Sequence, residues 1–238
     1  MSGPLRIAVV YPDLLGTYGD GGNGLVLLRR AQRRGIAAEL VEAPSDRPLP
    51  VADLYTLGGG EDGPQVQATR ALADDGTLAR AVADGAVVLA VCAGYQIVGR
   101  TFADAAGQPV AGLGLLDVTT AKGSGPRAVG EIVVEPELDD VDVLTGFENH
   151  GGRTTLGPGT RPLGRVRVGV GNGDRTDGAH SDRVVGTYLH GPALARNPAL
   201  ADLLLSWATD SALAPLEDRG EAALRRERLR AALGRRGR

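Results

Sequence analysis

The stretch 86-AVVLAVCAGYQIVGR-100 decides how this chain is read. Ala86–Val91 is apolar at every position, the pattern of a strand buried on both faces. Small residues follow at Ala93 and Gly94, and Tyr95–Phe102 then carries a helical pattern. Cys92, the single cysteine, stands at the corner between strand and helix. A reactive residue on a sharp strand-to-helix turn is the arrangement of a nucleophile elbow. That turn needs small neighbours, and Ala90, Ala93 and Gly94 supply them. A thiol at such a corner faces the positive end of the helix, which favours thiolate. The N–H of the next residue points where an oxyanion would form. Cysteine is equally one of the most buried residue types, so the stretch alone leaves packing and catalysis both open.

Outward from this corner, strands and helices alternate. Arg6–Val10 reads as a short strand running into the glycine-rich loop 16-GTYGDGGNG-24. The segment 25-LVLLRRAQRRG-35 reads as a helix, with Asn23 as its N-cap and Gly35 as its stop. Ala37–Val41 and Asp53–Leu57 read as strands, the second ending in 58-GGGEDG-63. Helical patterns cover Gln65–Ala73 and Thr77–Ala83. Such alternation predicts a mostly parallel sheet with helices on both faces. From Gly112 to Val185 strands dominate, with turn signals at Gly157–Pro158–Gly159 and Gly171–Asn172–Gly173. Val184–His190 is again apolar, and Pro198–Ala208 reads as a helix. The expected division is a domain over residues 1–214 and a tail over 215–238; from Leu216 onward the tail carries eight arginines against four acids.

The chain of 238 residues is 42% hydrophobic but only 3% aromatic, so Val, Leu and Ala must fill the core. A formal charge of −3 gives no global pull toward nucleic acid. One cysteine excludes an intrachain disulfide framework and fits a reducing compartment. The opening MSGPLRIAVVYPDL has too short an apolar run for a signal peptide, and no window approaches a spanning helix. The expectation is a soluble, cytoplasmic protein.

A cysteine nucleophile needs a base, and the candidates are His150, His180 and His190. His180 lies in the polar loop 171-GNGDRTDGAHSDR-183 and reads as solvated. His190 ends the apolar run 184-VVGTYLH-190, and the carboxyl ends of strands are where parallel α/β sheets build sites. The glycines of 57-LGGGEDG-63 also lie at a strand end, where backbone N–H groups can approach a substrate. These two features favour catalysis over packing for Cys92.

Taken in order, LGGG, VCAGYQIVG, GLGLLD (Gly112–Asp117) and TYLHGP resemble the motifs of class I glutamine amidotransferase domains, in particular the cobyric acid synthase branch. The segments YGDGGN (Tyr18–Asn23) and GFENHGGRT (Gly146–Thr154) resemble the GatD-type amidotransferase subunits of lipid II isoglutaminyl synthases. The resemblance runs from Arg6 to Ala208. It implies a flavodoxin-like α/β domain and hydrolysis of L-glutamine. Cys92 would attack the side-chain amide, and His190 would take and return protons. The N–H groups of Ala93 and of Gly59 or Gly60 would hold the oxyanion. Arg127, in 123-GSGPRAVGE-131, would bind the glutamine carboxylate, for which a guanidinium fork is suited. Gln96 would orient substrate or cap the turn.

Two absences shape the expectation. Class I domains commonly carry His-x-Glu, whereas here, as in the cobyric-acid-type branch, the acid is missing from that place: the sequence is His190-Gly191-Pro192, and proline cannot orient an imidazole. Glu148 or Asp182 would fill the gap, or a partner subunit would supply the acid; the partner is the favoured expectation. No G-x-x-x-x-G-K-[ST] occurs, and Asp20 makes 16-GTYGDGGNG-24 a poor phosphate cradle, so that loop is expected near the active site or the partner. No cofactor is therefore expected on this chain. The resemblance places ATP and Mg on a Mur-ligase-like (MurT-type) subunit, which would use the ammonia to amidate the α-carboxylate of D-glutamate in lipid II. The rival expectations are the amidotransferase of another synthetase, such as a cobyric-acid type, and a catalytically silent binding subunit. His150 is expected to line the cleft or satisfy a turn, and a zinc site of Cys92, His150 and His180 lacks clustered spacing. The arginine-rich tail reads as a docking helix or as a frayed helix with solvated arginines.

Overall fold

The apolar runs of the first half become neighbouring strands in the computed structural model, which describes residues 3–234. In chain order the first half comprises β1 (Leu5–Val10), α1 (Gly22–Arg33), β2 (Ala38–Ala43), β3 (Leu54–Leu57), α2 (Asp62–Asp75), α3 (Thr77–Ala83), β4 (Val87–Val91) and α4 (Ala93–Val98). The second half adds β5 (Thr101–Ala103), β6 (Pro109–Ala111), β7 (Val118–Lys122), β8 (Ala128–Pro136), β9 (Leu144–His150), β10 (Gly152–Leu156) and β11 (Gly164–Val168). It closes with β12 (Thr176–Asp177), β13 (Ala179–Ser181), β14 (Val184–Thr187), α5 (Ala193–Arg196), α6 (Pro198–Thr209) and α7 (Arg219–Gly234).

The main sheet has the order β2-β1-β3-β4-β14-β13, parallel throughout except for β13. Every residue of β4 is buried, as its unbroken apolar run requires of a central strand. Helices α1, α5 and α6 pack as one group and α2, α3 and α4 as another. This is the flavodoxin-like α/β arrangement expected. The strand-rich remainder forms two four-stranded sheets, β10-β7-β5-β6 and β12-β11-β8-β9.

Two local expectations are corrected. The helix after Cys92 ends at Val98, because Gly99 turns extended; Phe102 belongs to β5 instead. Helix α1 begins at Gly22, and its N-cap Gly21 makes no side-chain cap. Asn23 is therefore not the cap: its Oδ1 accepts the N–H of Leu194 at 2.9 Å, tying α1 to the segment after His190. In the tail Arg219, Arg226, Arg228 and Arg230 are exposed, while other residues tie the segment to the body. Asp218 accepts from Arg30 and Arg33 of α1, α7 packs on β8, β9 and α5, and Arg225 donates to the carbonyl of Val143.

What the fold does for function is set by where strands end. Cys92 follows β4 directly, Gly58–Gly60 follow β3, the loop holding Asp20 follows β1, and His190 lies three residues past β14. In the sheet β1, β3, β4 and β14 are consecutive neighbours, so these four segments meet along one carboxyl edge.

Candidate active site

Cys92 has φ 53° and ψ −104°, a backbone conformation that a residue with a side chain rarely adopts. Its neighbours hold it there. Its N–H donates to the carbonyl of Thr187 at 2.9 Å, and the N–H of Gly94 donates to the carbonyl of Gly58 at 3.1 Å. A Cβ on residue 94 would sit 2.7 Å from Leu57 Cβ and 2.9 Å from its carbonyl oxygen, so glycine is required for the turn to close against β3. The corner predicted from small residues is present, and Cys92, buried at 9% exposure, lines a cleft with Gly60, Gln96, Arg127 and His150.

His190 is fixed at both backbone and ring. Its N–H donates to the carbonyl of Phe147 at 2.8 Å, and Phe147 N–H returns to its carbonyl at 3.2 Å. Its Nδ1 lies 2.7 Å from Oδ2 of Asp20. Both side chains are buried. The Tyr18 ring covers the imidazole with centroids 4.9 Å apart. Burial alone would lower the imidazole pKa; the bonded Asp20 carboxylate and neighbouring Cys92 outweigh it and raise the value to about 10. Nε2 is buried with no aligned hydrogen-bond partner. Cys92 is thus close enough to bias the ring's proton without a closed bond, a looseness usual before substrate binds.

The acid on His190 comes from this chain, and neither residue expected from sequence supplies it. Glu148 accepts from the N–H groups of Val170 at 2.7 Å and Gly171 at 2.9 Å, and its Oε2 faces Nε2 of His150 at 3.2 Å. Asp182 is exposed in the turn before β14, at the opposite end of that strand from His190. Asp20 reaches in because its loop is pinned to the triple-glycine loop: Thr17 N–H donates to the carbonyl of Gly59, and Gly59 N–H donates to Asp20 Oδ2 at 2.9 Å. The available signal was an acid in a glycine loop after the strand beside β3. Set against phosphate it looked repulsive; set beside an imidazole it is complementary.

The same contact corrects the oxyanion expectation. Gly59 N–H is committed to Asp20, so it does not face the cleft. A Cβ on Gly59 would lie 2.6 Å from His190 Cε1, so this glycine admits the imidazole instead. Among the described residues, the backbone N–H groups of Gly60 and Ala93 donate to no protein acceptor. Gly60 and Ala93 both line the cleft beside Cys92.

Gln96 is positioned rather than free. Its Nε2 donates to the Tyr188 hydroxyl at 3.3 Å, and its Oε1 accepts from Gln65 at 2.9 Å. His150, buried, stacks on Tyr188 with ring centroids 3.7 Å apart. Arg127 donates through Nε to Asn149 Oδ1 at 2.6 Å and through Nη2 to the Asn149 carbonyl at 3.1 Å. An arriving carboxylate would compete with Asn149 for that fork. If Arg127 holds the substrate carboxylate, Arg127→Ala is expected to raise KM for glutamine roughly ten- to a hundredfold with a smaller change in kcat. Steady-state glutaminase kinetics check this, and an unchanged KM removes Arg127 from the site. His180 lies elsewhere, in a surface cleft with Arg161 and Trp207. No group of three or more potential metal ligands clusters among the described residues.

Solved glutamine amidotransferases share this architecture. One glutamine amidotransferase superposes with a TM-score of 0.61 at 20% identity, covering 85% of this chain and 98% of the other. PurLQS from Thermotoga maritima superposes at 0.58, also at 20% identity, over 79% and 87%. Such identities establish the fold class. Sequence establishes the family: its model for the CobB/CobQ-like glutamine amidotransferase domain matches residues 6–198, and the chain belongs to that family. Two relatives are lipid II isoglutaminyl synthase (glutamine-hydrolyzing) subunits GatD. That of Staphylococcus aureus (strain N315) is 39% identical, over 86% of this chain and 84% of that protein. That of Streptococcus pneumoniae (strain ATCC BAA-255 / R6) is 36% identical, over 86% and 80%. Cobyric acid synthase of Pelotomaculum thermopropionicum is 36% identical over 86% of this chain and 40% of that protein. The chain is a glutamine amidotransferase.

Proposed function

We propose that this chain is the glutaminase subunit of a lipid II isoglutaminyl synthase. The reading is carried by the strained Cys92 corner, which opens on a cleft and has the His190–Asp20 pair beside it. The GatD relatives, alike over most of both chains, support the pathway.

In the proposed mechanism the Cys92 thiol passes its proton to His190, and the sulfur attacks the side-chain carbonyl carbon of glutamine. The N–H groups of Gly60 and Ala93 take the developing oxyanion. The C–N bond breaks as His190 gives its proton to the leaving nitrogen, and ammonia departs. A glutamyl thioester remains on Cys92. His190, now neutral, takes a proton from water, which attacks the thioester and releases glutamate and the thiol. Asp20 keeps the imidazole in one tautomer and stabilises its charged form. Ammonia passes to a Mur-ligase-like subunit carrying ATP and Mg, where it amidates the D-glutamate α-carboxylate of lipid II. A carboxylate must be activated before ammonia can displace its oxygen, which is why the ligase step needs ATP.

The test combines the purified chain with a Mur-ligase-like subunit from the same organism. Glutamine, ATP, Mg and lipid II are added, and glutamate release and lipid II mass are followed. Release of glutamate together with conversion of the carboxylic acid to an amide is expected. Glutamate release with no change in lipid II would keep the glutaminase and reject the acceptor, favouring a cobyric-acid-type role. No release in any mixture would favour a silent subunit.

A further inference from the structure

A second buried carboxylate lies behind the catalytic strand end, and the proposed mechanism does not use it. Asp177, the last residue of β12, is fully buried. Its Oδ2 accepts the Thr187 hydroxyl at 2.6 Å, and its Oδ1 accepts the Tyr188 N–H at 3.3 Å. Thr187 Oγ1 in turn accepts the N–H of Leu189 at 3.1 Å. Three consecutive residues leaving β14 are therefore gripped by one side chain, directly or through a hydroxyl. The next residue is His190. The same segment also touches the nucleophile, since the carbonyl of Thr187 accepts the N–H of Cys92.

We infer that Asp177 is a positioning residue for the hydrolytic site: by holding Thr187, Tyr188 and Leu189 it fixes the distance and angle between Cys92 and His190. The inference rests on Cys92 and His190 being the reacting pair. Strand pairing alone does not do this work, because the ladder to β4 ends at Thr187–Val91, before His190. Beyond that point the chain is held by the Asp177 grip and by the bridge between Phe147 and His190. A displacement of about 1 Å at a reacting group costs on the order of a hundredfold in rate, so one buried side chain has leverage there.

The grip depends on charge state. An ionised carboxylate offers acceptors on both oxygens, whereas a protonated one turns one oxygen into a donor. Burial, and the Glu148 charge on β9, raise the Asp177 carboxyl to about 7 against the pull of its Thr187, Tyr188 and Gly178 donors. The other titratable groups facing it are Tyr95 of α4 and Tyr188, both raised by their own burial and neutral here. Falling pH therefore protonates Asp177 and loosens the segment, so part of the acid-side loss of activity belongs to this carboxyl.

The test measures kcat and KM for glutamine across pH in the complex with the ligase subunit. Asp177→Asn cannot accept on both sides, and kcat is expected to fall roughly ten- to a hundredfold, with KM within a few-fold. Its acid limb near neutrality should disappear. Thr187→Val, which deletes the linking hydroxyl, should match this, and Thr187→Ser, which keeps it, should restore kcat. Melting curves identify any variant that fails to fold, and the Thr187 pair then carries the comparison. Wild-type kcat and acid limb in Asp177→Asn, or equal activity of Thr187→Val and Thr187→Ser, would overturn the inference. Cys92→Ala run alongside separates the two levels: activity surviving there sinks the hydrolytic reading itself, not merely the role of Asp177.

Discussion

Cys92→Ala is expected to bring glutamine hydrolysis down by roughly four to six orders of magnitude, with little change in thermal stability. Without the sulfur no thioester forms, and only binding and oxyanion contacts remain to assist direct attack by water. The fold should tolerate the change. Alanine is smaller than cysteine, the residue already sits at positive φ, and the backbone bonds from residues 92 and 94 to Thr187 and Gly58 do not involve the side chain. A calorimetric scan beside a glutamate-release assay separates loss of chemistry from loss of fold. Turnover persisting in the variant would return Cys92 to the packing role that its apolar run allowed.

The sequence carried the sheet well because its strands are central ones. Ala86–Val91 and Val184–Thr187 lie side by side in the middle of the main sheet, and a strand covered on both faces has to be apolar throughout. Helix Thr77–Ala83 matches its predicted bounds, the four strands of the first half differ from theirs by a residue or two, and the run Val184–His190 leaves the strand at Thr187, three residues before His190. The errors fall where tertiary contacts override local pattern. Asn23 has the chemistry of a cap, but a buried N–H at Leu194 claims its oxygen. Tyr95–Phe102 keeps a helical pattern past the point where Gly99 leaves the helix, because the helical face and the following strand are both apolar.

The candidate site was legible in the residues that motif order and strand ends locate, and opaque in those defined by contact across the chain. Cys92, Gly60, Ala93, Gln96 and Arg127 all border one cleft. His190 approaches from β14, at the far side of that corner. Gly59 and Gly60 are neighbours, and only the loop from residue 17 to 20 distinguishes them, by taking the N–H of Gly59 and leaving that of Gly60. Asp20 and His190 are 170 residues apart in sequence, so no spacing rule links them. The empty His-x-Glu position pointed to a missing acid and hence to a partner. The parallel sheet provides a different solution, because β1 and β3 are adjacent and their following loops bond to each other.

Asp20→Asn discriminates between an acid supplied by this chain and one supplied by a partner. The variant is expected to lose roughly three to four orders of magnitude in kcat, in the isolated chain and in the complex alike. Asparagine can keep its carbonyl oxygen toward His190 Nδ1 and the Gly59 N–H, but its amino group then occupies the place of Asp20 Oδ1, which is buried with no partner. Turning the amide over would set N–H against N–H. Either way the negative charge is gone. That charge favours the imidazolium, so its removal lowers the imidazole pKa from about 10. His190 must be protonated when ammonia leaves. The native alkaline limb therefore lies high, and in Asp20→Asn it should move to lower pH as the imidazolium is lost sooner. The kcat–pH profile of both proteins, with and without the ligase subunit, reads this directly. If the complex of the variant kept native rate and profile, a partner acid would be orienting His190, and the Asp20 contact would serve only to join the two loops.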